Sequence, residues 1–376
     1  MSNLSSSTKV LVALSGGLMS GVVAALLKHQ GFHVVGLHLQ FSEKGTTPSS
    51  GIDQRLEKMT HKLGINLINV DARGEWEYWV RDHVVHQMAS GSKPEPDRLA
   101  THRLLFSLLL EKADELKCTH VSTGHVARVA LDPATNMTRL LKTHEGDQSA
   151  LLYQMTSENL GRFILPMGDL SHSAVEKLGA ELGLDVEHLK AAEAKSSSEV
   201  GISGITKDDY LKIAVSNIAP GLFPPGQVKL SDGLVIGEHG GVYRYYVGQK
   251  HGLPQLRLPA PMRPEGLLVT ALDQSTQTVF VGPESQLEVQ EVTAERAHWV
   301  RAVDGLKLLK CKGRLLEEGA GKLFACQVTL FENDLVYVEF QERQRISGPG
   351  QSIVFYQEDE VIGGAVLCQT RTPPTS

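Results

Sequence analysis

Short apolar runs alternate with amphipathic stretches through the first half of the chain. Residues 9–14 and 33–39 are β-rich runs, and between them Val22, Val23, Ala24, Ala25, Leu26 and Leu27 read as a helix ending near Gly31. A polar loop over 42–51 leads to helical spacing over 52–63, and residues 66–70 return to a strand. Helices are predicted over 76–88 and 98–116, separated by the stiff turn Lys93-Pro94-Glu95-Pro96-Asp97, and a short strand follows at 120–122. Strands that alternate with helices predict a parallel sheet covered on both faces, with ligands at the carboxyl ends of its strands. From 140 to 184 the pattern predicts helices, one of them opened by Asp147-Gln148-Ser149.

Beyond Ile205 the pattern changes. Gly and Pro become frequent, as in Pro220-Gly221 and Pro224-Pro225-Gly226, and short strands are predicted around 231–241. From Gly266 onward, apolar runs at 267–271, 278–281, 324–330, 336–340 and 352–356 are bounded by turn residues, which predicts a small all-β barrel. The expected organisation is an α/β domain over 1–205, a small central domain over 206–265, a C-terminal β-barrel over 266–370 and a disordered tail over 371–376.

The candidate chemistry begins at Ser15-Gly16-Gly17, between the first strand and the first helix. Such a turn directs backbone N–H groups to one place and forms an anion site, usually for phosphate. Met19 is unusual there, since a carboxylate at that place would manage metal and phosphate charge. The strand at 120–122 delivers Gly124, His125 and Arg128 to another strand end, where they could meet the first turn. Taken alone, His125 reads rather as an ordinary partly buried histidine and Arg128 as a surface charge. Asp147 alone reads as a helix N-cap.

Composition narrows the class. The chain has 376 residues, enough for two or three domains, and is 41% hydrophobic and 21% charged, as in a globular protein. A net charge of -6 argues against a globally basic nucleic-acid binder and leaves a local basic face open. The four cysteines, Cys118, Cys311, Cys326 and Cys368, have no C-x-x-C spacing and read as unpaired thiols of a reducing compartment. The serine-rich opening lacks an apolar core and no run is long enough to cross a membrane, so a cytoplasmic protein is expected.

Several motifs in order resemble the MnmA/TrmU family of tRNA-specific 2-thiouridylases. They are residues 13–20, 94–106, Ser122-Thr123-Gly124-His125-Val126-Ala127-Arg128, Asp147-Gln148-Ser149 and 195–202, then Asp232-Gly233 through His239, residues 246–253 and Pro349-Gly350-Gln351-Ser352 through Tyr356. The resemblance implies a PP-loop ATP pyrophosphatase domain, a small central domain and a C-terminal β-barrel. Family members activate the C2 oxygen of a tRNA wobble uridine with ATP, and sulfur arrives as a persulfide on one cysteine while a second assists. The nucleotide site expected from the turn and the resemblance comprises Ala13, Leu14, Ser15, Gly16, Gly17, Ser20, Leu39, Gly124, His125 and Arg128. The resemblance places tRNA contacts at Glu95, Pro96, Asp97, Asp147, Gln148, Gln249, Lys250, Lys310 and Lys312; turn formation and solvated charge are the alternative for these residues.

Three positions depart from the family pattern. Met19 stands at the Asp of the family's S-G-G-x-D-S loop, Ala100 at the assisting cysteine and Gly201 at the persulfide cysteine. Without positioned thiols the standard reaction has no sulfur-carrying nucleophile. The expectation is a tRNA-binding protein, with ATP as its nucleotide, magnesium binding weakened, no structural metal, no sulfur-relay partner and no sulfur transfer of its own. The enzymatic alternative is an ATP-dependent tRNA-modifying activity, either 2-thiolation with an external sulfur donor or adenylation completed by a non-thiol nucleophile.

Overall fold

The computed structural model describes residues 8–41, 50–191, 224–258, 266–303, 307–316 and 321–369. Gly201, most of the 42–51 loop and the 371–376 tail lie outside them. The chain forms two compact units: Met1–Val80 with Pro96–Lys207 and Asp359–Ile362, and Arg81–Glu95 with Asp208–Glu358 and Gly363–Ser376.

The chain opens with β1 (Lys9–Ala13), α1 (Leu18–His29), β2 (His33–Gln40), α2 (Ser50–Leu63) and β3 (Asn66–Asp71). Then α3 (Arg73–Trp76) runs through a π-helical segment, Glu77–Arg81, into α4 (Asp82–Ala89). A second helical run comprises α5 (Pro96–Leu99), a π-helical segment Ala100–Phe106 and α6 (Ser107–Glu115). The α/β part is completed by β4 (His120–Ser122), β5 (Arg128–Asp132), β6 (Met137–Leu141), α7 (Ser157–Gly161), β7 (Phe163–Ile164) and α8 (His172–Glu181).

In the first unit, β1, β2, β3, β4 and β7 form a parallel sheet in the order β3-β2-β1-β4-β7. Alternation along β1 turns Val10 and Val12 toward a core built with Leu18, Val22, Val23 and Leu27 of α1, Leu56 and Met59 of α2, and Val175 of α8. Strand order proceeds one way from β1 to β3 and then jumps back across β1 to β4. With right-handed crossovers, this reversal places α6 on the opposite face and opens a crevice at the carboxyl ends of β1 and β4.

The helical reading of 140–184 is corrected at its start. β5 and β6 form an antiparallel hairpin, with Arg128 opposite Leu141, turned where the Ala134 N–H donates to Asp132 Oδ1 at 2.9 Å. The other edge of β6 pairs Leu141 with Glu360 and Leu140 with Val361. A strand whose partner lies so far along the chain leaves no local signal in the sequence.

The second unit adds β8 (Gly226–Lys229), β9 (Val235–His239), β10 (Leu267–Asp273), β11 (Thr278–Pro283), β12 (Glu288–Trp299), β13 (Leu308–Leu315), β14 (Phe324–Leu330), β15 (Val336–Arg345), β16 (Ser352–Gln357) and β17 (Glu360–Gln369). The strands β10 and β11, expected in the barrel, pair instead with β8 and β9 in the order β10-β11-β8-β9. Their inward residues Val269, Val279 and Val281 share a core with Val228, Ile236 and Tyr245. His239 ties this sheet: its Nδ1 accepts from the Gly241 N–H at 3.0 Å and its Nε2 donates to the Gln277 carbonyl at 3.0 Å. Burial holds that imidazole below its ordinary pKa, in the neutral form this pair of bonds requires.

The barrel runs β12-β15-β14-β13-β16-β17 and closes through β12 on β17, which leaves no free sheet edge. Two motifs far apart in sequence meet in this unit. The Lys93 N–H donates to the Pro349 carbonyl at 2.7 Å, and the buried Glu95 carboxylate accepts from the Ser352 N–H at 2.8 Å and its O–H at 2.6 Å. Replacing Glu95 by Ala strands both donors in a buried place, so Glu95→Ala is expected to cost about 2–3 kcal/mol. Glu95→Gln keeps an acceptor and should cost less, and urea unfolding monitored by the barrel's aromatic signal checks the order.

Candidate functional site: a glycine cradle at the sheet's switch point

The cradle lies where β1 ends. The Leu14 N–H donates to the Leu37 carbonyl at 2.8 Å, and His38 Nδ1 donates to the Leu14 carbonyl at 2.9 Å, so the backbone entering the turn is held from β2. Gly16 takes φ +82°, a left-handed conformation that suits glycine. Ser20 Oγ then braces the turn: it accepts from the Ser15 N–H at 3.2 Å, lies 3.1 Å from Ser15 Oγ and donates to the Gly17 carbonyl at 3.3 Å. Ser15 is exposed while Ser20 is buried beneath it. The helix that follows brings its positive N-terminal end to the same turn.

Gly124 completes the cradle from β4. A Cβ on it would lie 3.0 Å from both the Ser20 backbone N and Met19 Cβ, so the β4 loop approaches α1 as closely as a glycine permits. The next residues are fixed by Gln148, whose N–H donates to the Val126 carbonyl at 2.8 Å and whose Oε1 accepts from the Val126 N–H at 2.9 Å. Asp147 Oδ1 accepts from the Thr143 N–H at 3.2 Å and the Ser149 N–H at 3.1 Å. His125 Nδ1 lies 2.9 Å from Thr123 Oγ1, and its ring is 5.4 Å from that of Phe106. Desolvation pushes His125 down to about 4, so the imidazole is neutral at physiological pH.

The other residues read from the sequence take up diverse places. Ala13 and the buried Leu14 end the β1 run, and Leu39 is buried in β2 opposite Val70. Arg128 turns its guanidinium to the Lys142 carbonyl at 3.1 and 3.3 Å. Pro96 opens α5; Asp97 follows it, its side chain outside the description. In the second unit Gln249 staples its own loop, accepting from the Tyr246 N–H at 3.2 Å and donating to the His251 carbonyl at 2.9 Å. Lys250 pairs with Glu284 at 3.2 Å. Lys310 and Lys312 are exposed on the outer face of β13. Cys118 is buried ahead of β4, at the end of the sheet opposite the cradle, and burial pushes its thiol up.

The donor set decides what the cradle fits. Backbone N–H groups at a glycine turn and a helix N-terminus fit a phosphate chain. They do not supply a hard-cation site, because the first turn of α1 holds no acidic residue and Met19 packs against the unit's apolar core. Among the described residues no group of three or more His, Cys, Asp and Glu is arranged to hold a metal ion. Ala100, also in this unit, is 0% exposed and offers a methyl group inside the second π-helical segment.

One surface was not anticipated. Tyr78 and Trp79 on the first π-helical segment are 65% and 41% exposed, edge to face at 4.8 Å. Arg103, on the second such segment, lies over the Trp79 ring at 5.5 Å. The segment that presents Arg103 ends in Phe106, which packs on His125, so this surface and the cradle share one helical support. Adjacent aromatic residues in the run Glu75-Trp76-Glu77-Tyr78-Trp79 are the only sequence signal, and it does not separate the buried Trp76 from the exposed pair.

The neutral His125 makes a pH prediction. The folded state keeps the ring unprotonated while the unfolded chain takes up a proton below about 6.5, so stability falls as the pH drops from 6.5 toward 4. The loss attributable to this ring is at most about 3–4 kcal/mol. Urea unfolding at pH 7 and pH 4.5 should show a smaller acid penalty in His125→Gln than in the unaltered protein.

Comparison with known proteins agrees with the α/β unit and the barrel. Residues 8–200 match the family model described as "tRNA methyl transferase HUP domain", and residues 289–367 match the "Aminomethyltransferase beta-barrel domain". The tRNA-specific 2-thiouridylase MnmA of Pelobacter propionicus is 33% identical over 95% of this chain and 96% of its own length. That of Salinibacter ruber is 33% identical over 96% of this chain and 94% of its own, and that of Geobacter metallireducens 32% identical over 95% of each. A glycine cradle at the switch point of a parallel sheet, a closed barrel and full-length likeness to these proteins lead to one statement: the chain belongs to the MnmA family of tRNA-specific 2-thiouridylases.

Proposed function

We propose that this chain is a tRNA-binding member of its family that keeps the nucleotide cradle and has left sulfur transfer. The observation that carries the reading is Met19. Where the family loop has an aspartate, this partly buried side chain packs against the apolar core, and the first turn of α1 has no acidic residue. Ala100 supports it independently, since an enclosed methyl group at the assisting-cysteine place can neither carry nor resolve sulfane sulfur. Gly201 is the third such position in the sequence and lies outside the described residues.

Ser15, Gly16, Gly17 and Gly124 are the residues that would hold the phosphates of ATP. In the family's reaction ATP supplies the adenylyl group that activates a uridine carbonyl. Here the turn and Ser20 position a phosphate chain, and the neutral His125 leaves the pocket without an added positive charge. For RNA, Lys310 and Lys312 offer two exposed ammonium groups to phosphates, while Tyr78, Trp79 and Arg103 offer rings and a guanidinium plane on which unpaired bases stack. Asp147, Gln148 and Gln249 are bonded within their own loops and act in this reading by shaping them.

Complementation of a bacterial strain lacking wobble 2-thiouridine tests the loss of sulfur transfer. The expected outcome is no 2-thiouridine by nucleoside mass spectrometry, with the protein present and binding tRNA in the extract; restored 2-thiouridine would overturn the reading. Pyrophosphate release from ATP, with and without tRNA, is expected to stay at background. The two RNA surfaces separate by salt dependence. Trp79→Ala should weaken tRNA binding about tenfold with an unchanged salt slope. The double variant Lys310→Glu, Lys312→Glu should weaken binding and reduce the slope by about two.

A further inference from the structure

The barrel brings together two thiols that the sequence separates. Cys311 on β13 stands directly opposite Cys326 on β14, and their sulfur atoms are 3.7 Å apart. Exposure alternates from Leu308 to Gly313: Leu309 and Gly313 are buried while Leu308, Lys310 and Lys312 are exposed, so Cys311 shares the inward face. Cys326 is 7% exposed and Cys311 is half-buried, which leaves Cys311 as the thiol a solute reaches first.

We propose that Cys311 and Cys326 form a thiol–disulfide exchange site, whose reaction partner is a small disulfide of the glutathione class. The backbone already satisfies the geometry. Directly opposed residues of an antiparallel pair have Cα atoms about 4.5–5.5 Å apart, inside the range of about 4.4–6.8 Å found across disulfides. The sulfurs must close from contact distance to about 2.05 Å, which side-chain rotation can supply. Gly313 lets the Phe324 ring and Cys326 Sγ approach the β13 backbone, since a Cβ there would lie 2.5 Å from the ring and 3.3 Å from the sulfur.

The chemistry balances without a further reagent. The Cys311 thiolate attacks one sulfur of the small disulfide, forming a mixed disulfide and releasing one thiol. Cys326, losing its proton to solvent, then attacks the Cys311 sulfur and releases the second thiol. One disulfide is consumed, two small thiols are produced, and the protein loses two hydrogen atoms. The thiol–thiol contact and burial both push the Cys311 pKa up, so exchange is slow at neutral pH and the pair suits a resting reduced state. The product ties β13 to β14 across the segment that joins them, constraining the unfolded chain. This inference is independent of the reading of Met19 and Ala100, since neither residue takes part.

Peptide mapping of the folded, full-length protein tests it. The protein is incubated with oxidised glutathione, and separately with hydrogen peroxide as a smaller oxidant, then alkylated. The expected result is a Cys311–Cys326 linked peptide, with Cys118 and Cys368 still alkylated and a higher unfolding temperature that dithiothreitol reverses. In Cys326→Ser the second step is blocked, so glutathione should remain attached at Cys311. Four alkylated thiols after oxidised glutathione, whatever peroxide gives, or stable glutathione on Cys311 in the unaltered protein, would overturn the proposal. Because the decisive measurement uses the unaltered chain, a folding defect in the variant does not weaken it.

Discussion

The parallel pairing of β1 with β4 is the constraint on which the α/β unit depends. Sequence order would place β4 beyond β3, but the chain returns across the sheet and sets β4 beside β1. Two loops about a hundred residues apart thereby leave neighbouring strand ends in the same direction. Gly124 can then lie against Ser20 and Met19, and the tolerance of that contact is a single missing Cβ. Everything downstream inherits this approach: the Gln148 brace on Val126, the desolvated His125 and the ring of Phe106 over it. Adding a side chain at Gly124 would therefore displace the whole second half of the cradle rather than one contact.

Much of this arrangement was legible in the residues themselves. The Ser-Gly-Gly turn, the strand at 120–122 and the parallel α/β class follow from local periodicity and turn chemistry, both encoded within a few residues. The barrel was legible as a class, while its membership was not: β10 and β11 have the same alternation as barrel strands, and only their partners β8 and β9 assign them elsewhere. The β5–β6 hairpin was missed for a related reason, since its outer edge is satisfied by Glu360 and Val361. Pairing between distant segments is a property of the folded chain, and amphipathic period carries no record of it.

Within the site, identity was easier to read than direction. A methionine at position 19 is evident in the sequence, whereas its packing into the apolar core emerges only with Val22, Leu56 and their neighbours in place. Glu95 and Gln148 read as polar groups available to a ligand, yet Glu95 accepts from the Ser352 N–H and O–H and Gln148 Oε1 from the Val126 N–H. The exposed Trp79 and buried Trp76 are three residues apart on a helical stretch whose π-helical turn changes the angular spacing between them. Cys311 and Cys326 likewise look unrelated until the register of β13 and β14 makes them opposites.

The strand shared by the two units bears on how the protein is made. Residues 359–362 complete the edge of β6, and the ribosome delivers them more than two hundred residues after the hairpin itself. Until then the hairpin carries a row of unpaired backbone donors and acceptors, with Arg139 lacking the Glu360 carboxylate it meets at 2.8 Å in the finished protein. The nascent α/β unit can assemble its parallel sheet early while its outer hairpin waits. Final closure of the amino-terminal unit is thus coupled to synthesis of residues 359–362, and a chain truncated shortly before residue 359 would leave that edge of β6 unpaired.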